Sequence, residues 1–148
     1  MTLRFVATSS DSKPAADLLD TLHLEYDERA GRKLRGGPSA EPADFAPPTG
    51  TFILAYEHER AVACGGLKTI GPGIAEIKRM YVVSEERRRG IARALLGALE
   101  DAARSMAFAV VRLDCETHNW PLYRTSGYRR IDDYNGNPFA ELWAEKVL

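Results

Sequence analysis

The chain of 148 residues is 45% hydrophobic and 28% charged, the make-up of an ordinary globular protein long enough to bury one core without staples. Its 20 Lys and Arg stand against 21 Asp and Glu, so no global field draws it to nucleic acid or to an anionic membrane, and any basic site has to be local. With no basic-then-apolar leader and no apolar run that would span a bilayer, the expectation is a cytoplasmic protein built as a single domain over residues 1–148.

In chain order, residues 3–8 are β-prone and predict a strand with Leu3, Phe5 and, less so, Ala7 on one apolar face. Ser10, Asp11 and Ser12 offer N-caps before Pro14, and Ala15, Leu18, Leu19, Leu22 and Tyr26 follow helical spacing. This predicts a helix over 15–35, stopped by Gly36, Gly37 and Pro38. Residues 37–50 hold four of the eight prolines and read equally as a functional lid or as a surface linker. Strands are predicted over 51–56, 61–70 and 75–83, joined by turns at 57–60 and 71–73. Residues 90–106 form the clearest helix, with Ile91, Leu95, Leu99 and Ala103 on one face and Arg93, Glu100, Asp101 and Arg104 on the other. A strand over 109–115, a short helix ending at Ser126 before Gly127, and strands over 128–131 and 139–147 complete the pattern.

Two cysteines, Cys64 and Cys115, lie in apolar strand-like runs and read as buried thiols, with a disulfide between them left open. Neither their spacing nor the three histidines (His23, His58, His118) match a metal motif, so no metal is expected.

The informative stretch is MYVVSEERRRGIAR at 80–93, where a strand, a polar turn and an amphipathic helix meet. The first N–H groups of a helix lack intrahelical partners and the macrodipole is positive there, so such a terminus binds phosphate readily. Gly90 and Ala92 keep bulk away from the main chain around Ile91, and Arg87, Arg88, Arg89 and Arg93 bring guanidinium groups. Basic residues at a helix start cost about 0.3–1 kcal/mol each, which favours an anion site over a merely solvated basic turn. The glycine spacing fits neither a Walker loop nor a dinucleotide fingerprint.

On these residues the chain resembles the GNAT superfamily of N-acetyltransferases, whose Gln/Arg-x-x-Gly-x-Gly/Ala signature is matched by Arg87, Gly90 and Ala92. The segments AEIKRMYV, ARALLGALEDAAR and LYRTSGYRRI, and the tail at 134–146, look like successive parts of the core of small bacterial members. The resemblance implies an α+β chain (an α/β mixed sheet) in the GNAT fold. That fold is a twisted, mixed six- or seven-stranded sheet flanked by helices, with a splayed central strand pair. It also implies acetyl-CoA as cosubstrate and a small-molecule or peptide amine as acceptor, with neither nucleic acid nor membrane as partner, and it allows a homodimer. The main chain of Met80, Tyr81 and Val82 would pair with pantetheine, the turn from Arg87 to Ala92 would hold the pyrophosphate through backbone N–H groups, and the Arg93 side chain would add a phosphate contact.

Tyr123 resembles the family's tyrosine that protonates the coenzyme sulfur, although by itself it reads as a core tyrosine. Glu76 reads either as the general base or as a salt-bridge partner of Lys78, with which strand alternation groups it together with Met80 and Val82. Glu116 and His118 are further candidates for the base. Asn119 precedes Tyr123 by four residues with Pro121 between, fewer than in many relatives, which leaves its coenzyme contact open. Glu41, Asp44, Glu76 and Asp132 are the acids expected to attract a cationic acceptor. A non-catalytic acyl-CoA-binding or regulatory domain is the alternative reading.

Overall fold

The computed structural model describes residues 1–31 and 40–148. Its strands are β1 (Arg4–Thr8), β2 (Gly50–Glu57), β3 (Arg60–Gly71), β4 (Ile74–Val82), β5 (Val110–Cys115), β6 (Arg129–Ile131) and β7 (Leu142–Val147). The helices are α1 (Lys13–Ala30), α2 (Ile91–Ser105) and α3 (Trp120–Thr125), with single 3-10 turns at Pro42–Phe45, Ser84–Glu86 and Thr117–Asn119.

The strands form one seven-stranded mixed sheet in the order β1-β2-β3-β4-β5-β7-β6, antiparallel except between β4 and β5. A parallel neighbour requires a crossover, and α2 supplies it. One face of α2 is apolar because Ile91, Leu95, Leu96, Leu99 and Ala103 recur at helical spacing, and all five are buried. Full burial of each large aliphatic side chain stabilises the fold by about 1.5–3 kcal/mol. On the opposite sheet face, Ala15, Leu18, Leu19 and Leu22 of α1 are buried, and Phe45 packs edge-on against Phe52, centroids 5.7 Å apart.

Three expectations change. Phe5 and Ala7 of β1 are exposed, Phe5 to 39%, because α2 covers β3 and β4 and stops short of the edge strand, while Leu3, just before β1, is half-buried and packs against the core. Helix α1 ends at Gly31, whose φ of 68° and N–H bonds to the Asp27 and Glu28 carbonyls make a left-handed cap. The expected helix end at 32–35 and the stop at 36–38 lie outside the described residues. Glu100, placed on the solvated side of its helix by periodicity, is instead buried, 6% exposed. Its carboxylate accepts hydrogen bonds from Tyr128 Oη at 2.8 Å and from Lys146 Nζ at 3.1 Å, so a charged residue is satisfied inside the core.

Candidate functional site

Strands β4 and β5 pair only through Ile74–Val110, Ala75–Val111 and Glu76–Arg112. Beyond that point β4 continues against β3, β5 continues against β7, and the two part. A cleft of about 1020 Å³ opens beside this gap, bounded by α1, the end of β4, the end of β5 and the segment before β7.

A bulge shapes the β4 side. Its register against β3 jumps from Tyr81–Cys64 to Lys78–Gly66, so Arg79 and Met80 both oppose Gly65, and Arg79 takes a left-handed φ of 59°. A Cβ on Gly65 would meet Leu99 at 2.8 Å and Met80 at 3.2 Å, whereas one on Gly66 would meet Phe45 at 2.5 Å. The two glycines therefore look to opposite sheet faces. Lys78, paired with Gly66, stands on the Phe45 face, and Met80 stands on the α2 face. Simple alternation had grouped Glu76, Lys78 and Met80 together; the extra residue in the strand reverses the pattern after Lys78. Arg79 reaches the Phe45 face as well, with Nη2 donating to the Ala40 carbonyl at 2.8 Å and the guanidinium 5.2 Å from the Phe45 ring.

Tyr123 lies across the gap on α3. It is 7% exposed, packs edge-on against Tyr128 at 5.8 Å and donates its phenol proton to Met80 Sδ at 3.7 Å. Burial, then the neighbouring Cys115, Tyr26 and Asp114, hold its pKa well above the ordinary tyrosine value, so the phenol keeps its proton. Helix α3 is fastened from two sides. Lys146 Nζ donates to the Ser126 carbonyl at 2.9 Å, and Arg93 donates to Ser126 Oγ at 2.9 Å and Thr125 Oγ1 at 2.8 Å. Arg93, expected to face phosphate, thus links the start of α2 to the helix that carries Tyr123.

The turn before α2 separates main-chain from side-chain roles. No hydrogen bond joins the main-chain N–H groups of residues 88–93 to any described residue. Arg88 and Gly90 are both left-handed, φ 65° and 81°, which curls these donors into a concave nest, and a Cβ on Gly90 would meet nothing within 4 Å. The arginines are mostly engaged within the protein. Arg87 donates to the Val82 carbonyl at 2.9 Å and to Glu25 at 2.7 Å, while Arg89 forms a bidentate pair with Glu57, at 2.7 and 3.0 Å, and also meets Glu86. Arg88 has no ion pair or hydrogen bond to a described residue. Val82, expected to offer its main chain to pantetheine, already has its carbonyl bound by Arg87, and the Tyr81 phenol donates to Glu25.

Glu76 is 3% exposed and enclosed. Its Oε2 accepts from Tyr134 Oη at 2.6 Å and Asn135 Nδ2 at 3.1 Å, and Lys78 Nζ lies 3.5 Å from Oε1. Glu76 is not among the residues that line the cleft; Asp114 is, with Asn119, Glu116, Glu141, Tyr123 and Met80. Asn135 Nδ2 also donates to Asp114 Oδ2 at 2.7 Å, while Asn135 Oδ1 is held by Trp143 Nε1 at 2.9 Å, so one amide fixes both carboxylates. Sequence reasoning passed over Asp114, although alternation in β5, with Val111, Leu113 and Cys115 buried, sets it opposite the core face. His118 is exposed and paired with Glu116 at 3.4 Å. Glu41 and Asp44 cap the turn at Pro42–Phe45, and neither they nor Asp132 line the cleft. Both cysteines are free and buried, and burial pushes the Cys115 thiol up to about 11. Among the described residues no three His, Cys, Asp or Glu converge as a metal-ligand set, and no helix is long and apolar enough to cross a membrane.

Comparison with known proteins adds relatives to this geometry. The sequence model of the acetyltransferase (GNAT) family matches residues 15–128. An N-acetyltransferase of Schizosaccharomyces pombe, described as uncharacterized, is 28% identical over 103 residues. That match covers 66% of this chain and 63% of the yeast protein, less than two thirds of its length. An acetyltransferase structure from Streptococcus agalactiae superposes with a TM-score of 0.80 at 18% identity, covering 99% of this chain and 98% of that one. A GNAT family acetyltransferase from Elizabethkingia anophelis, solved with acetyl-CoA bound, gives 0.71 at 18% identity, covering 99% and 98%. At these identities the structures share the fold.

Proposed function

We propose that this chain, which belongs to the acetyltransferase (GNAT) family, transfers an acetyl group from acetyl-CoA to a primary amine of a small molecule or peptide by direct attack. The observation that carries the reading is the parting of β4 from β5 after Glu76 and Arg112, with the Tyr123 phenol reaching Met80 across the gap. A coenzyme diphosphate fits the unpartnered N–H groups of Arg88, Arg89, Gly90, Ile91, Ala92 and Arg93, with the Arg88 guanidinium beside them. Arg87 and Arg89 hold the turn in shape through Glu25, Val82 and Glu57. The β4 edge at Met80 and Tyr81 and the side chain of Asn119 face the pantetheine arm.

Acetyl-CoA, when bound, supplies an acyl carbon activated by a thiolate leaving group. Tyr123 delivers the proton that the departing sulfur needs, and its buried environment keeps that proton in place at neutral pH. Asp114 lines the cleft and receives the proton that the amine loses as its nitrogen bonds to carbon. Glu76 serves as the anchor that fixes Asn135, and through it Asp114.

The test is release of free thiol from acetyl-CoA across a panel of amines. Amine-dependent thiol release that falls sharply in Tyr123→Phe is expected. Coenzyme binding without turnover on any amine would instead support a non-catalytic acyl-CoA-binding domain.

A further inference from the structure

Arg29 pairs with Glu116 at 3.2 Å and Lys78 with Glu76 at 3.5 Å. Glu141, which accepts the Thr117 N–H at 2.9 Å, is exposed, so water solvates its charge. Two half-buried charges have no partner of opposite sign among the described residues. Arg79, on the β4 bulge, has no carboxylate within ion-pair distance among the described residues, Asp44 acting on it only from farther away, and among those residues its hydrogen bond is to the Ala40 carbonyl. Residues 32–39 contain no acidic residue that could neutralise it. Asp114, on β5, is bound by the neutral amide of Asn135 and by no cation among the described residues. Both are half-buried, both line the same cleft from the two strands that part, and they do not pair with each other.

Unneutralised charge out of bulk water is costly, and the left-handed backbone of Arg79, φ 59°, adds strain. Proteins keep such features where a ligand completes them. One bond to Ala40 leaves most of the five guanidinium donors of Arg79 available, in a planar fork suited to a carboxylate.

We propose that the acceptor is a zwitterion, an amine that also carries a carboxylate. Arg79 binds the carboxylate and Asp114 receives the ammonium. This rests on the acetyl-transfer reading above and narrows its amine to the amino-acid class. The alternative, a polyamine or another purely cationic amine, would meet Arg79 as a repulsive neighbour.

The experiment compares α-, β- and γ-amino acids with their carboxamides and with their N-acetyl derivatives. It uses turnover and calorimetric titration of the CoA-saturated protein. The amino acids are expected to bind about 10- to 100-fold more tightly than the carboxamides, as for a lost charge-assisted contact. Arg79→Gln should erase that preference and weaken the N-acetyl derivatives equally, with Arg79→Lys restoring part of it. Asp114→Asn should weaken the amino acids but leave their N-acetyl derivatives, whose nitrogen is neutral, unchanged. Carboxamides handled as well as the acids, or another amine acetylated while amino acids are refused, would overturn the proposal; the wild-type comparison needs no variant to fold. Carboxylate-dependent binding without any turnover would leave the zwitterion site standing and remove the enzymatic reading. Loss of both amino-acid and coenzyme binding would remove both.

Discussion

The Tyr123 phenol and the Met80 sulfur are 3.7 Å apart across the gap between β5 and β4. No strand pairing bridges the sheet at that level, since the last pair joining these strands is Glu76–Arg112. In the proposed reaction, this contact is where the coenzyme sulfur meets its proton donor.

Tyr123→Phe removes the proposed proton donor and its contact with Met80, while the ring keeps its packing against Tyr128. The turnover number should fall about 10²–10⁴-fold, with coenzyme affinity within about twofold of wild type. Steady-state kinetics with calorimetry of CoA checks this; equal loss of rate and affinity would assign the residue a structural role.

Gly90→Asp sets a carboxylate among the N–H groups of residues 88–93. The space beside Gly90 is open, but its φ of 81° is left-handed, so Asp strains the turn and lowers Tm somewhat; CoA affinity should drop about 100-fold or more from repulsion at the diphosphate. Thermal denaturation with and without CoA separates the two effects.

Arg88 and its neighbours should behave differently. Arg88→Ala should weaken CoA roughly 3- to 10-fold and flatten the salt dependence of binding, since its charge is not neutralised by a described residue. Arg87→Ala frees the Val82 carbonyl and the Glu25 carboxylate, so its loss of affinity should come with greater protease sensitivity of the 84–93 turn.

Lys146→Met leaves Glu100 buried with only Tyr128 as a described partner. Breaking such a pair from one side costs about 3–5 kcal/mol. Urea denaturation should register that loss, and replacing Glu100 by Gln in the same chain should recover much of it.

Alkaline pH should unfold the protein through its tyrosines. Tyr81, Tyr123, Tyr128 and Tyr134 all have pKa values raised first by burial, Tyr81 to about 12 from the ordinary 10.0. A raised folded-state pKa means that the folded chain holds the proton more tightly. The stability is thus complete below pH 10.0 and is lost as pH climbs toward 12 and above. Phenolate absorbance and Tm should change together in that window.

Periodicity made most of the fold legible: β2 to β5 and α2 fall within one residue of their expected ends. What escaped was set by contacts distant in sequence or by one-residue irregularities. The arginines at 87 and 89 argued for an anion because helix starts repel them, yet Glu25 and Glu57, 62 and 32 residues away, already bind them. The bulge at Arg79 has no glycine or proline to announce it within β4, and it reverses the face of Met80. Glu100 looked solvated because its partners, Tyr128 just before β6 and Lys146 on β7, lie 28 and 46 residues farther along the chain and are invisible when a helix is read alone. The main-chain donors at 88–93 were legible, because they follow from backbone geometry and small residues rather than from remote partners.

The most direct measurement is a calorimetric titration of the wild-type protein with coenzyme A, repeated with acetyl-CoA. One saturable site per chain is expected for both, strongly weakened in Gly90→Asp. A folded wild-type protein that shows no binding heat and no shift in Tm with either ligand would contradict coenzyme binding at this turn.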